Sequence, residues 1–264
     1  MSKRIEKVFS DKKKKLITFV TGGDPTKSFS EEILKIIIKN GADIIEIGMP
    51  FSDPMADGPT IQMSSNRVLK NRTNLDDIFS ICTNLRKVNN NIPIILMGYY
   101  NVILHYGIDK FSKKCASVGI DGLIIVDLQP EEDPALYDAI KHFDIDLIRL
   151  ITPNTTPERL KIITSNASGF LYYVTITGVT GQKSANISEL KKSVKKIKKY
   201  SKLPIVAGFG INNSKDIKAI CSHTEGAVVG SSIIKIIENN IGNKIKMLNL
   251  ISNFIIDLKS GINK

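Results

Sequence analysis

The sequence has no tryptophan, only three cysteines and three histidines, and aromatic residues make up just 6% of its 264 residues. Hydrophobic residues still reach 42%, so a full core is available and its packing must be mainly aliphatic. The cysteines, Cys82, Cys115 and Cys221, are odd in number and far apart, as expected of small buried residues in a reducing compartment. The histidines do not pair at metal-ligand spacing, so the sequence predicts no metal site.

Long apolar runs are also missing. No stretch reaches the length of a membrane span, and the N-terminus lacks the apolar core of a signal peptide. We therefore expect a protein without a membrane partner that stays in the cytoplasm, or in the plastid stroma if an organelle genome encodes it.

The formal net charge is +11 and comes mainly from lysine. In the lysine run at residues 191–199, apolar residues recur at spacings of three and four, which places the lysines on the wet face of a helix. Nucleic-acid binding would favour aromatic residues among the basic ones, or a basic recognition helix. The sequence therefore predicts no nucleic-acid partner.

One stretch, Ile44–Gln62, contains an acid where acids are rare. Residues Ile44–Gly48 have the apolar pattern of a buried strand in a parallel sheet, but Glu46 interrupts them. Burial of an unpaired carboxylate raises its pKa, which makes the group a proton donor and acceptor near neutral pH. Turn chemistry does not explain an acid in the middle of a strand, so Glu46 is a candidate catalytic residue.

The segment that follows the strand is expected to be a stiff loop. Three prolines and two glycines between residues 48 and 59 prevent a regular element there. Asp53 and Asp57 lie on this acid loop, and either could join Glu46 in proton transfer and charge stabilisation. Aspartate is also common at the start of turns, so a purely structural role for both loop residues stays open.

The rest of the chain alternates between strand and helix patterns. The first helix is predicted to be capped by Ser28 with Glu31 three residues later. Eight strands, each followed by a helix, in about 250 residues are what a closed (β/α)8 TIM barrel requires, here one domain over residues 1–264 with extra short helices. An open doubly wound α/β sheet is the alternative, but no GxGxxG follows the first strand. Strands are predicted at Leu16–Thr21, Ile44–Gly48, Ile92–Met97, Leu123–Val126, Leu147–Ile151, Phe170–Thr175, Pro204–Gly208 and Ala227–Gly230. The helical patterns between them include Leu75–Val88 and Ile108–Val118.

Glycines follow the last two predicted strands, at Gly208–Gly210 and at Gly230–Ser231, where a short helix begins. Glycine lets the backbone approach an anion, and the free N–H groups and dipole of a helix start attract negative charge. This pattern predicts a phosphorylated ligand, although the glycines could also only make tight turns. The loop Thr177–Ser184 is long enough to close over that ligand, with Thr180 and Gly181 as its small residues.

Five segments together resemble the α subunit of tryptophan synthase. They are EIGMPFSDPMADGPTIQ at Glu46–Gln62, FVTGGDP at Phe19–Pro25, TGVTG at Thr177–Gly181, and the GFGI and GSSIIKII segments near the end. The resemblance extends from about Arg4 to Lys259. It implies a lyase that cleaves indole-3-glycerol phosphate to indole and glyceraldehyde 3-phosphate, with no cofactor or metal in this subunit.

The resemblance also implies roles for single residues. Glu46 matches the group that transfers protons, and Asp57 matches the anion that stabilises positive charge at the indole nitrogen. The remaining matches are substrate contacts: Phe19 and Tyr172 line the site, Gly181, Gly210, Gly230 and Ser231 bind phosphate through the backbone, and Thr180 meets the acid loop on closure. Asp53 has no catalytic counterpart.

The resemblance further implies an α2β2 assembly in which indole passes to a β subunit that carries pyridoxal phosphate. The acid loop and the loops after the third and fourth strands are where the family meets that subunit, and here Gln129 stands where the family often has proline. A lyase that works alone and a non-catalytic phosphate-binding module are the alternatives. Comparing the activity with and without the β subunit distinguishes a lyase that works alone from an α subunit that works with its partner. A Glu46→Gln variant distinguishes a non-catalytic phosphate-binding module from an enzyme.

Overall fold

The computed structural model describes residues 2–174, 187–208 and 210–262. In these ranges a parallel sheet is surrounded by helices. The strands are β1 Lys15–Thr21, β2 Ile44–Gly48, β3 Ile94–Gly98, β4 Gly122–Ile125, β5 Asp146–Leu147, β6 Arg149–Ile151, β7 Leu171–Val174, β8 Ile205–Gly208 and β9 Gly226–Val229. The helices are α1 Lys3–Phe9, α2 Lys27–Lys39, α3 Pro59–Lys70, α4 Leu75–Val88, α5 Tyr100–Tyr106, α6 Ile108–Val118, α7 Pro134–Ile140, α8 Pro157–Ser165, α9 Ile187–Ile197, α10 Ser214–Cys221, α11 Ser231–Glu238 and α12 Lys244–Ile262, with a 3-10 turn at Lys141–Phe143.

The sheet closes on itself. Its strand order is β5-β4-β3-β2-β1-β9-β8-β7-β6, and all neighbouring strands are parallel. Only Ile148 separates β5 from β6, so these two edge pieces are halves of one strand that joins both edges. This confirms the predicted (β/α)8 TIM barrel, whereas the extent of the domain, residues 1–264, stays a prediction.

Side chains alternate between the inside of the barrel and the layer between strands and helices. On β2, Ile44 belongs to the inner cluster, whereas Ile45 and Ile47 pack outward against the helices. Glu46 shares the face of Ile44 and therefore points into the barrel. Besides Ile44, the inner cluster contains Ile5, Ile17, Ile95, Ile124, Ile148, Phe170, Tyr172, Val206 and Val228.

The predicted cap of the first long helix is wrong. Helix α2 begins one residue after Thr26, whose Oγ1 accepts a hydrogen bond from the N–H of Phe29 at 3.4 Å. Thr26 has the extended backbone typical of a capping residue, with φ −144° and ψ 162°. Ser28 lies inside the helix instead, because the helix starts two residues earlier than the Ser28–Glu31 pattern suggested.

The lysine-rich helix α9 has the orientation that its sequence predicted. Leu190, Val194 and Ile197 are buried, and the flanking Lys191, Lys192, Lys195, Lys198 and Lys199 are exposed. The charged run is therefore the solvated face of an amphipathic helix. Among the helices that the structure describes, none has the length and apolar content needed to cross a membrane.

Candidate active site

Glu46 lies in the middle of β2, in register with Phe19 on β1 and Ile95 on β3. It is fully buried, and within the described residues neither of its carboxylate oxygens has a hydrogen-bond partner. Burial raises the pKa of Glu46 to about 8, because the charged form loses its hydration and gains no counter-charge. The strand thus presents a carboxyl group that can give or take a proton close to neutral pH.

Two aromatic side chains predicted to line the site share the barrel interior with Glu46. Tyr172 on β7 points inward, and burial together with the charge of Glu46 raises its pKa well above the ordinary value. A Cβ on Gly208 would lie 2.5 Å from Tyr172 Oη, so this glycine makes room for the ring. Phe19 contacts both sides of the site, because its ring approaches Gly48 on β2 and its Cβ lies 3.2 Å from a Cβ built on Gly230.

Asp57 is half-buried on the acid loop and is held there by Tyr99. The hydroxyl of Tyr99 donates to Asp57 Oδ2 at 3.2 Å and accepts from the N–H of Ala56 at 3.0 Å. Burial raises the pKa of Asp57, and the hydrogen bond from Tyr99 opposes that rise. A cavity of about 10 Å³ is lined by Asp57, Tyr99, Phe19 and Thr21, so the second acid and the first aromatic residue share one pocket.

Tyr99 is a site residue that the sequence reasoning missed. It directly follows β3, and the carboxyl ends of barrel strands carry active-site residues, so its position was the available signal. Asp53, by contrast, is exposed and accepts a hydrogen bond from Ser52 Oγ. That environment fits the structural role in a turn that was left open for Asp53. It differs from the half-buried environment of Asp57.

The predicted anion site lies at the start of α11. The carbonyl of Gly230 accepts the first helical hydrogen bond, from the N–H of Ile233 at 2.9 Å. The N–H groups of Ser231 and Ser232 precede this ladder, so they are available to an anion and lie at the positive end of the helix dipole. The geometry therefore provides the backbone donors that the Gly-Ser pattern suggested.

The two glycine turns are neighbours in space. Ser232 Oγ donates to the carbonyl of Ile211 at 2.6 Å, which fastens α11 to the segment that follows β8. Among the described residues, no heavy atom lies within 4 Å of a Cβ built on Gly210. Thr180 and Gly181, with the rest of the loop Thr177–Ser184, and Phe209 lie outside the described residues.

The fold and the site define a (β/α)8 barrel that has a buried carboxyl group in its interior and backbone N–H groups at the start of the helix after its last strand. A family model described as "Tryptophan synthase alpha chain" matches residues 5–263. The chain therefore belongs to the tryptophan synthase alpha chain family, a family of lyases in tryptophan biosynthesis.

Relatives and solved structures agree with this assignment. The tryptophan synthase alpha chain of Petrotoga mobilis is 46% identical over 97% of this chain and 98% of its own. That of Zymomonas mobilis is 43% identical over 91% of this chain and 89% of its own. The crystal structure of tryptophan synthase subunit alpha from Legionella pneumophila is 33% identical, covers 100% of this chain and 99% of its own, and has a TM-score of 0.92.

Proposed function

We propose that this chain cleaves indole-3-glycerol phosphate to indole and D-glyceraldehyde 3-phosphate, as the α subunit of tryptophan synthase in the last steps of L-tryptophan biosynthesis. The observation that carries the proposal is Glu46, a fully buried carboxyl group with a pKa raised to about 8 inside the barrel. Family membership supports the same reaction.

The proposed reaction is a retro-aldol cleavage in which one carboxyl group acts twice. Glu46 starts protonated and gives its proton to indole C3, which leaves positive charge at the indole nitrogen. Glu46, now a carboxylate, takes the proton of the hydroxyl on the adjacent carbon. The bond between that carbon and C3 then breaks, its electrons restore the aromatic indole, and the carbon becomes an aldehyde. Glu46 ends protonated, so the proton count balances.

Asp57 supplies the counter-charge in this scheme. A carboxylate within hydrogen-bond reach of the indole N–H stabilises the cation that forms when C3 is protonated. The hydrogen bond from Tyr99 supports this role, because it holds the Asp57 carboxylate in place and favours its charged form. Phe19, which lines the same small cavity as Asp57, is the proposed apolar contact to the indole ring, and Tyr172 covers it from across the barrel.

The phosphate group is proposed to bind the backbone N–H groups at Gly230–Ser231 and Gly210, with Gly181 and Thr180 contributing from the loop outside the described residues. Proton transfer and charge stabilisation are all that the proposed reaction needs from the protein, and carboxyl groups supply both. We therefore propose that this subunit uses no metal or cofactor of its own, and that pyridoxal phosphate belongs to the β partner.

The test is to incubate the purified chain with indole-3-glycerol phosphate and to separate and quantify the indole and glyceraldehyde 3-phosphate formed. A Glu46→Gln variant should bind inorganic phosphate normally and lose roughly several hundredfold in rate, because the amide cannot transfer the proton. Asp53→Asn is the matched control, since Asp53 lies on the acid loop after β2 but is exposed. Without the β subunit, this variant should keep the rate of the parent chain. Normal turnover by Glu46→Gln would remove Glu46 from the mechanism.

We also propose a β-subunit partner in an α2β2 assembly. Met55 at the tip of the acid loop is 88% exposed, which suits a surface that a partner covers. A groove of about 540 Å³ is lined in part by Phe51, Asn101, Val102 and His105, from the acid loop and α5. Adding β subunit should raise the rate of indole formation, whereas an equally fast isolated chain would favour the lyase that works alone.

A further inference from the structure

Arg67 lies on α3, the helix that begins directly after the acid loop, and its guanidinium contacts two acids from separate parts of the barrel. Its Nε and Nη2 donate to the two carboxylate oxygens of Asp24 at 3.0 and 2.8 Å. Its Nη1 donates to Glu238 Oε1 at 3.3 Å. Asp24 lies in the loop after β1, and Glu238 is the last residue of α11. One side chain therefore joins three elements.

The contact with Asp24 has a purely structural reason. The side chain of Asp24 is fully buried, so its charge requires a partner, and the two parallel hydrogen bonds from Arg67 provide it. Ser64 Oγ adds a further bond to Asp24 at 2.6 Å, and Asn71 Nδ2 donates to the carbonyl of Pro25 at 2.7 Å. Helix α3 is thus fixed to the loop after β1 without any help from α11.

The contact with Glu238 has no such structural requirement. The side chain of Glu238 is 27% exposed, so water can solvate its charge. Helices α3 and α11 pack against each other, and this ion pair joins α3 to the last residue of α11. Helix α3 starts just after Asp57, and α11 starts at Ser231, so the two joined helices are the ones whose N-terminal ends carry the carboxylate and the anion-binding turn.

We propose that Arg67 is a positioning residue that sets the distance between Asp57 and the phosphate-binding turn at Gly230–Ser231 by holding α3 against α11. The proposal rests on the function proposed above, because only a substrate that reaches both points is sensitive to that distance. A misplacement of about 1 Å can lower a rate roughly 100-fold. Inorganic phosphate contacts only one of the two points, so its affinity does not depend on their separation.

The informative variant is Glu238→Ala, because it releases α11 and leaves the buried Asp24–Arg67 pair intact. We expect kcat for indole formation to fall roughly tenfold, as positioning is lost, while the Kd for inorganic phosphate changes less than about twofold. Glu238→Gln keeps an acceptor oxygen and should recover part of the loss. The matched control is Glu32→Ala, which breaks the half-exposed pair of Glu32 and Lys244, and this variant should keep the parent kcat.

Two further measurements separate positioning from general stability. In an Asp57→Asn background, Glu238→Ala should cause no further loss of rate if it acts through Asp57. Amide hydrogen exchange in α11 should become about threefold faster in Glu238→Ala and stay unchanged in Glu32→Ala. This second readout needs no substrate.

Several results would overturn the proposal. Unchanged kcat and unchanged exchange in Glu238→Ala would show that the contact does not hold α11. A parallel loss of kcat, phosphate affinity and Tm would show a general structural role instead. If the parent protein forms no indole while exchange in α11 still accelerates in Glu238→Ala, the proposed function fails and the contact between the helices stands.

Discussion

Glu46 lies among the aliphatic and aromatic side chains of the barrel interior, and its ionisation controls the proposed chemistry. The protonated form is the acid, and its population falls as the pH rises through a pKa of about 8. We expect kcat to fall about tenfold per pH unit above that value, and to fall again at low pH when Asp57 becomes protonated. Initial rates across the pH range measure this, and a rate that stays constant to about pH 10 would contradict it.

The hydroxyl of Tyr99 is expected to matter for the rate more than for stability. A Tyr99→Phe variant keeps the ring packed against Phe51, at a centroid distance of 5.2 Å, but loses the hydrogen bonds to Asp57 and Ala56. We expect kcat to fall roughly tenfold, because Asp57 is no longer held. Tyr106→Phe is the control, since it removes a hydroxyl bonded to Asp76 on the surface, and equal rate losses in both variants would refute the role of Tyr99.

Residues of the site differ in how far the sequence could reveal them. Glu46 could be found because an acid interrupts an otherwise apolar strand, and this signal is local. The contact between Tyr99 and Asp57 could not, because it depends on how the loops after β2 and β3 lie against each other. The same holds for Arg67, whose partners Asp24 and Glu238 come from distant parts of the chain.

Helix α2 offers a test of its observed start. Thr26→Ala should lower the free energy of unfolding by about 1 kcal/mol, because the N–H of Phe29 loses its acceptor. Ser28→Ala should change it by less than about 0.5 kcal/mol, since Ser28 lies within the helix and is exposed. Chemical denaturation of both variants measures the difference. A larger loss for Ser28→Ala would restore the cap that the sequence suggested.

Helix prediction succeeded where the start and stop signals are local. Helix α4 matches its predicted bounds Leu75–Val88, and Asn74 and Asp77 form a capping box at its start. Helix α6 likewise matches Ile108–Val118 and ends at Gly119 with a positive φ of 76°. In both cases residues next to the helix decide its ends.

Two short helices were not predicted because distant residues stabilise their starts. The first N–H of α5, from Tyr100, donates to Asp127 Oδ1 at 2.8 Å, and Asp127 follows β4. Before α1, the N–H of Ser2 donates to Asp146 Oδ2 at 3.0 Å. Such caps exist only once the barrel has formed, so a window of sequence does not contain them.

At the scale of the whole molecule, the two ends of the barrel have separate roles. The carboxyl ends of the strands carry the candidate site, and α1 closes the opposite end by placing Ile5 in the inner cluster. Asp121 fastens this helix, because it accepts hydrogen bonds from Ser2 Oγ at 2.7 Å and Arg4 Nη1 at 3.1 Å. We therefore expect the closed end to contribute to stability and not to the rate.

This division can be tested with Ile5→Ala. The side chain is fully buried, so its truncation should lower the free energy of unfolding by about 2–4 kcal/mol through lost burial and a new cavity. The kcat of the folded fraction should stay unchanged. Ile245→Ala is the control, because Ile245 is 75% exposed and should change stability little. A loss of kcat in Ile5→Ala as large as that expected for Glu46→Gln would show that the two ends are coupled.

The three buried cysteines are native reporters of local opening of the barrel. Cys82, Cys115 and Cys221 lie on α4, α6 and α10, and burial raises the pKa of each thiol. A thiol reagent can modify each one only when its helix transiently detaches from the barrel wall. Mass spectrometry of the labelled peptides would then measure the rate of local opening at three separate helices of the barrel, with no probe introduced by mutation.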